Sequence, residues 1–239
     1  MSRVALCIAG QARAVEENFE CIKRCILDPL QPDVFVHTWE APEDEDVAYP
    51  QDPDSLMRLY QPRASVVSAP KEFDQHDFNS ITNPTEDLLA WHFQRINSMY
   101  YSIYQANSLS KRWDRPDEPY KWVIRLRTDV ILDGVLDLEQ CDPNSMYLHL
   151  QELENNLRCN DVFAFSSPEN MDIYAGCYPN MGQIMRDLGT MSATMILTHQ
   201  LRDMDVKESP LTHVGFYREG NIHDEINKDL GQGKAPRVK

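Results

Sequence analysis

Positive charge is scarce in this chain. Lys and Arg number 23 against 38 Asp and Glu, which leaves a net charge of −15. A balance of that sign works against nucleic acid and anionic membranes as partners, since both recruit basic surfaces. A small anion gripped by a few local arginines stays compatible with it. Long apolar runs are missing too: none approaches the ~20 residues that cross a bilayer. The apolar stretch near the start, "VALCIAG" (Val4–Gly10), has seven residues, too few for the hydrophobic region of a signal peptide and its flanks. The expectation is a cytoplasmic protein without a transmembrane segment, lying in the host cytoplasm if its source is viral.

The six cysteines make no C-x-x-C pair and no metal-ligand spacing with histidine. Cys21 and Cys25 lie one helical turn apart, a spacing that suits buried packing, so reduced, structural thiols are expected. Glycine-built phosphate loops are also lacking. Neither G-x-G-x-x-G nor Gly-Lys-Ser/Thr occurs, which argues against a dinucleotide site and a P-loop. No internal repeat is visible.

What is there reads as one α/β domain over residues 1–239. At that length the chain buries roughly 70% of its unfolded surface and needs no disulfide or metal staple. Val4–Ala9 is a short apolar run closed by Gly10, the pattern of a strand covered on both faces. Val15, Phe19, Ile22 and Ile26 follow at helical spacing, and Pro29 is expected to stop that helix. "DVFVHTW" (Asp33–Trp39) is β-branched and aromatic, hence a second strand. Strand, helix, strand with short links opens a mostly parallel sheet between helices. Glu40–Asp54 carries seven acids and three prolines and is expected to be a solvated loop. "ASVVSA" (Ala64–Ala69) suits a third strand. A long helix is predicted from an Asn83 cap, with Pro84 in its first position, to about Trp113. "MYLHL" (Met146–Leu150), "DVFAFS" (Asp161–Ser166) and "LTHVGFYR" (Leu211–Arg218) read as strands. Ser167-Pro168 starts a helix, and Ala193–Met204 suggests another.

"YKWVIRLRTDVILD" (Tyr120–Asp133) reads as one buried strand with charges at its carboxyl end. Period-two alternation puts Arg125, Arg127 and Asp129 on one face and Trp122, Ile124, Leu126 and Thr128 on the other. Uncompensated buried charge costs several kcal/mol, so these groups must pair with each other or meet a polar ligand. An internal Arg–Asp ion pair is one reading. A diphosphate site is the other, because guanidinium forks phosphate oxygens and carboxylate holds Mg²⁺ or Mn²⁺. Gly10, Gln11 and Arg13 in "CIAGQARA" (Cys7–Ala14) form a tight strand-to-helix link, where a helix amino terminus and one full charge attract an anion.

The blocks "VALCIAGQAR", "DVFVHTW", "FQRINSMYYSIYQAN", "YKWVIRLRTDVIL" and "NDVFAFSSPENMDIY", in that order, resemble a family of GT-A-type glycosyltransferases of viruses and bacteria. The likeness runs from about Val4 to Tyr178, roughly three quarters of the chain. It implies a GT-A fold, with residues up to about 133 binding a nucleotide sugar (UDP- or GDP-linked) and the remainder shaping the site for a glycan-like acceptor. It also implies Asp129 as ligand of Mn²⁺ or Mg²⁺, with Arg127 beside the donor diphosphate; Arg125, on the same strand face, is a further candidate for that diphosphate. Arg-x-Asp here stands where other GT-A enzymes carry Asp-x-Asp, which implies either weaker metal binding or an Arg127 that replaces part of the metal's charge.

An inverting transfer needs a carboxylate to take the acceptor's proton. Asp161 is the candidate, with Glu152 and Glu154 as fallbacks; a retaining transfer would not need this base. His223, in "NIHDE" (Asn221–Glu225), is the candidate second metal ligand, and a surface histidine is the plainer reading. Gln94, Asn97 and Ser98 on the long helix are candidate pocket residues. Trp39 either stacks on a base or packs in the core. Two other functions fit the same residues: a nucleotidyltransferase, which usually has a more glycine-rich first loop, and a nucleotide-sugar-binding protein without turnover.

Overall fold

The computed structural model describes residues 3–41, 51–74, 86–153, 156–218 and 221–223. Seven strands form a central sheet in the order β3-β2-β1-β4-β7-β6-β8. They are β1 (Arg3–Ala9), β2 (Asp33–Trp39), β3 (Ala64–Ser68), β4 (Tyr120–Leu126), β6 (Met146–Leu153), β7 (Asn156–Ser166) and β8 (Val206–Glu208). β1 pairs in parallel with β2 and β4, and β2 with β3. β7 runs against its neighbours β4 and β6, and β8 returns parallel to β6. A second, three-stranded sheet joins β5 (Val130–Asp133), β9 (Thr212–Arg218) and β10 (Asn221–His223). The result is an α/β protein with a mostly parallel central sheet flanked by helices, compatible with a Rossmann-like fold.

Alternation along the strands divides the core into two layers. Leu6, Ile8, Val36, Ile124, Leu126 and Phe165 pack on one face. That face is covered by α1 (Val15–Ile22) and α3 (Pro53–Tyr60). Ala5, Cys7, Phe35, Val123 and Ala164 pack on the other. There lie α4 (Glu86–Trp113), α5 (Pro168–Ala175), α6 (Cys177–Leu188) and α7 (Ala193–Gln200). Burial on both faces explains why β1 reads as a continuous apolar run from Val4 to Ala9.

Several expectations need correction. Pro29 does not stop the first helix. The chain passes from α1 through a wide π-type turn at Lys23–Leu27 into α2 (Asp28–Leu30). Proline has no N–H for the carbonyl four residues back, and its ring crowds that carbonyl. Here the carbonyl belongs to Cys25, and it accepts the Leu136 N–H at 3.0 Å instead. The acidic stretch is not loop to its end either. Asp52 accepts the Ser55 N–H and caps α3, with Pro53 in its first turn. The helix α6 went unpredicted, and the Ala193 helix ends at Gln200 rather than Met204. The Asn83 cap lies outside the described residues. Ser167 caps α5 as expected.

All six cysteines are free thiols. Burial pushes the Cys7 thiol up to about 12, so it is an inert packing group whose Sγ meets the Ala106 carbonyl at 3.5 Å. Among the described residues no helix is long and apolar enough to cross a membrane.

Candidate functional site

The expected single strand Tyr120–Asp133 is two strands separated by a turn. β4 ends at Leu126, and β5 starts at Val130 in the second sheet. Arg127, Thr128 and Asp129 fill the gap. Thr128 points inward, where its hydroxyl accepts the Arg13 N–H at 3.2 Å and donates to the Gln11 carbonyl at 3.3 Å. The buried side-chain amide of Asn18 donates to the Thr128 carbonyl at 2.9 Å and also to the Val130 carbonyl. These bonds replace the sheet ladder that the turn interrupts, as buried backbone requires. They also fasten the turn to the link after β1, where Gly10 takes φ +118°, a conformation that a side chain would strain. Thr128→Val is expected to cost about 1–2 kcal/mol, since it removes both bonds in a buried setting. Urea unfolding of the variant checks this value.

The two fastened segments border one cavity of about 460 Å³ at the carboxyl ends of β1 and β4. The chain moves from β1 outward to β2 and β3, then crosses to β4 on β1's other side. Such a reversal leaves a crevice between the two strands, the usual ligand position in open α/β sheets. Gly10, Gln11 and Arg13 line it from the β1 side. Arg125, Arg127 and Asp129 line it from the β4 side, so the turn keeps the shared face that alternation predicted. Asp161 joins them from β7. Antiparallel pairing of Leu126 with Phe163 and the Arg127 N–H bond to the Val162 carbonyl at 3.3 Å bring Asp161 level with the turn.

Two ion pairs organise these charges. Arg127 forks Asp129, with Nε on Oδ1 at 2.8 Å and Nη2 on Oδ2 at 2.6 Å. The guanidinium carbon also stands 5.0 Å from the centre of the Phe216 ring on β9. Arg125 is wholly buried and donates from Nη1 to the Val162 carbonyl at 2.6 Å. Its Nη2 lies 3.8 Å from Asp161 Oδ2, beyond direct hydrogen-bonding range. Both Asp161 Oδ2 and Arg125 Nε are buried without a hydrogen-bond partner. Burial lowers the Arg125 pKa below the usual guanidinium value. Orphaned polar atoms beside a cavity are the mark of a site completed by a polar ligand.

The long helix contributes what the sequence did not single out. Arg95 and His92 line the cavity from α4. Ser98, an expected pocket residue, also lines it, but Gln94 and Asn97 do not. Gln94 clamps the backbone of Phe73 through two bonds, and Asn97 donates to the carbonyl one turn back, at Phe93. Helical spacing could have placed Arg95 one turn before Met99 on the same side, yet an exposed arginine on a helix carries no signal of its own. Met191, Ser192 and Ala193, just before and at the start of α7, close the far wall.

Trp39 touches the cavity but is only 5% exposed, packed with Phe73 and Phe93. Its ring lies 5.7 Å from that of Tyr101 and 5.3 Å from that of His37, which favours the core-packing reading over a stack on a base. His37 itself is fully buried, with Nε2 3.1 Å from Ser68 Oγ. Burial pulls its imidazole down to about 4 from an ordinary 6.5. The unfolded chain therefore binds this proton first, so stability is full above the ordinary value and falls as pH drops toward 4. Between pH 6.5 and 5 the loss is expected to be about 2 kcal/mol. His37→Gln should remove that part of the slope in urea unfolding followed against pH.

His223 occupies β10, opposite Phe216 of β9, which is itself opposite Val130, the residue after Asp129. The topology thus sets it two strands from the turn, and its side chain lies outside the described residues, as do those of Glu152 and Glu154. A divalent cation at Asp129 does not fit the side chains described. Both carboxylate oxygens are engaged by Arg127, and the guanidinium covers them: its side chain is 22% exposed against 3% for Asp129. Among the described residues, no three His, Cys, Asp or Glu side chains gather closely enough to hold a metal. Magnesium and manganese need open oxygen ligands.

A cavity at the sheet's reversal point, rich in arginine and lined by a carboxylate with a buried oxygen lacking a hydrogen-bond partner, is the candidate site of this protein; no protein-family model matches the chain, and no curated protein matches it.

Proposed function

We propose that the protein transfers a glycosyl group from a UDP- or GDP-sugar to an acceptor hydroxyl, on a GT-A-type fold. The observation that carries this reading is the convergence of Arg13, Arg95, Arg125 and Arg127 with Asp161 on one cavity at the ends of β1 and β4. Guanidinium groups pair bidentately with phosphate oxygens. Four of them in a crevice of a chain with net charge −15 point to an anion with several such oxygens. The parallel block β3-β2-β1-β4 and the small second sheet that follows Asp129 support the GT-A assignment. Six free thiols suit a reducing compartment such as the cytoplasm.

In the transfer, the acceptor oxygen attacks the anomeric carbon of the donor sugar. The bond from that carbon to the β-phosphate oxygen breaks, and its electron pair remains on the nucleoside diphosphate. Arginines already in place stabilise this growing charge without reorganising. Asp161 accepts the acceptor's proton through Oδ2, the oxygen without a hydrogen-bond partner. Gly10 and Gln11 bring the backbone of the first link close to the donor.

A thermal-shift screen of UDP- and GDP-sugars, followed by assay of released nucleotide, tests the reading. A donor at a hundred times its Kd should stabilise the fold by about 2.7 kcal/mol. Stabilisation without turnover would make this a binding protein. Failure of every donor to raise the melting temperature would remove the proposal.

A further inference from the structure

Resting on that reading, we propose that arginine rather than a divalent cation neutralises the donor's diphosphate, with Arg127 in the cation's place. Three observations carry this. First, Arg127 occupies both oxygens of the only carboxylate at the turn, through bonds of 2.8 and 2.6 Å. A metal approaching from the cavity would have to displace the guanidinium that lies over Asp129 and is fixed there by the Phe216 ring.

Second, the charges balance without a metal. The described lining residues include four guanidiniums and two carboxylates, a surplus of two positive charges. The diphosphate of a nucleotide sugar is a diester carrying about two negative charges, which arginine forks match in number and geometry. A divalent cation would leave the filled site doubly positive, and arginine-lined walls repel it before the donor arrives.

Third, Asp129 has a role that needs no metal. A carboxylate forked by guanidinium holds that group's plane and position, as a second layer of bonds does around a catalytic group. Asp129 is thus a positioning residue for Arg127. The diphosphate oxygens meet a cation whose orientation is set before binding.

Calorimetric titration of UDP and of GDP, once in EDTA and once with manganese, decides the matter. The expected result is binding in EDTA within about threefold of that with manganese, since the arginines supply the charge. Arg127→Gln should weaken binding in EDTA about tenfold or more, the loss of a charge-assisted contact. Should that variant fail to fold, Arg95→Gln on the exposed face of α4 gives the same readout. Binding that collapses in EDTA and returns with manganese would overturn the arginine assignment and leave the nucleotide-sugar reading intact. No binding of either nucleotide in either buffer would overturn both.

Discussion

Replacing Asp161 with Asn is expected to lower kcat by about 10²–10⁴-fold, the range that a positioned general base contributes. Asparagine keeps the shape of the side chain and one acceptor oxygen, so the Tyr174 hydroxyl bond to the Asp161 backbone carbonyl, 3.4 Å, should persist, while the buried Arg125 charge loses its counter-ion and the fold is destabilised. What asparagine loses is the ability to take a proton. Nucleotide affinity should stay near that of the parent, because the proposed diphosphate contacts come from the arginines and not from Asp161. The loss should fall on kcat with KM little changed, a split that a merely structural residue would not produce. A variant with parental kcat would make Asp161 only the counter-ion of Arg125 and would place the base elsewhere.

Arg125→Met is expected to destabilise the fold by about 3–5 kcal/mol, as follows when one partner of a buried ion pair is removed. The side chain is 1% exposed and bonded to the Val162 carbonyl, and Asp161 is its facing carboxylate. Methionine fills a comparable volume, so lost packing is a minor part of the effect. The larger part is the stranded charge on Asp161. Adding Asp161→Leu removes that charge, and the double variant should recover most of the loss. Urea unfolding of the two single variants and the double variant gives the coupling directly. A cost below about 1 kcal/mol for Arg125→Met would show that water already compensates Asp161 and that the pair is not a stability element.

The two expectations separate the roles of one pair. Asp161 is tested through its unpartnered oxygen, and Arg125 through the charge it sets opposite that carboxylate. Both residues sit on strands joined in antiparallel register, which fixes their spacing more tightly than a loop would. By contrast, Arg127 and Asp129 sit on a turn between two sheets. There the guanidinium is held by its fork on Asp129 and by the Phe216 ring rather than by strand register.

Amino-acid order alone determined much of this. Burial on both faces of β1 was legible from its continuous apolar run, because a strand covered by helices on either side has no polar alternation to hide it. Shared orientation of Arg125, Arg127 and Asp129 was legible from period two, and Gly10, Gln11 and Arg13 from a glycine-closed strand before a helix. What only the tertiary structure decided was the pairing. Alternation cannot reveal that β4 breaks after Leu126, since Asn18 and Thr128, distant in sequence, satisfy the backbone there. Nor can it reveal that Arg127 turns back on Asp129, or that Arg95 reaches the cavity from a helix whose exposed residues look alike. Local sequence sets which way a side chain faces; which group it meets depends on chain segments brought together by packing, as the meeting of Asn18 with the Thr128 carbonyl shows.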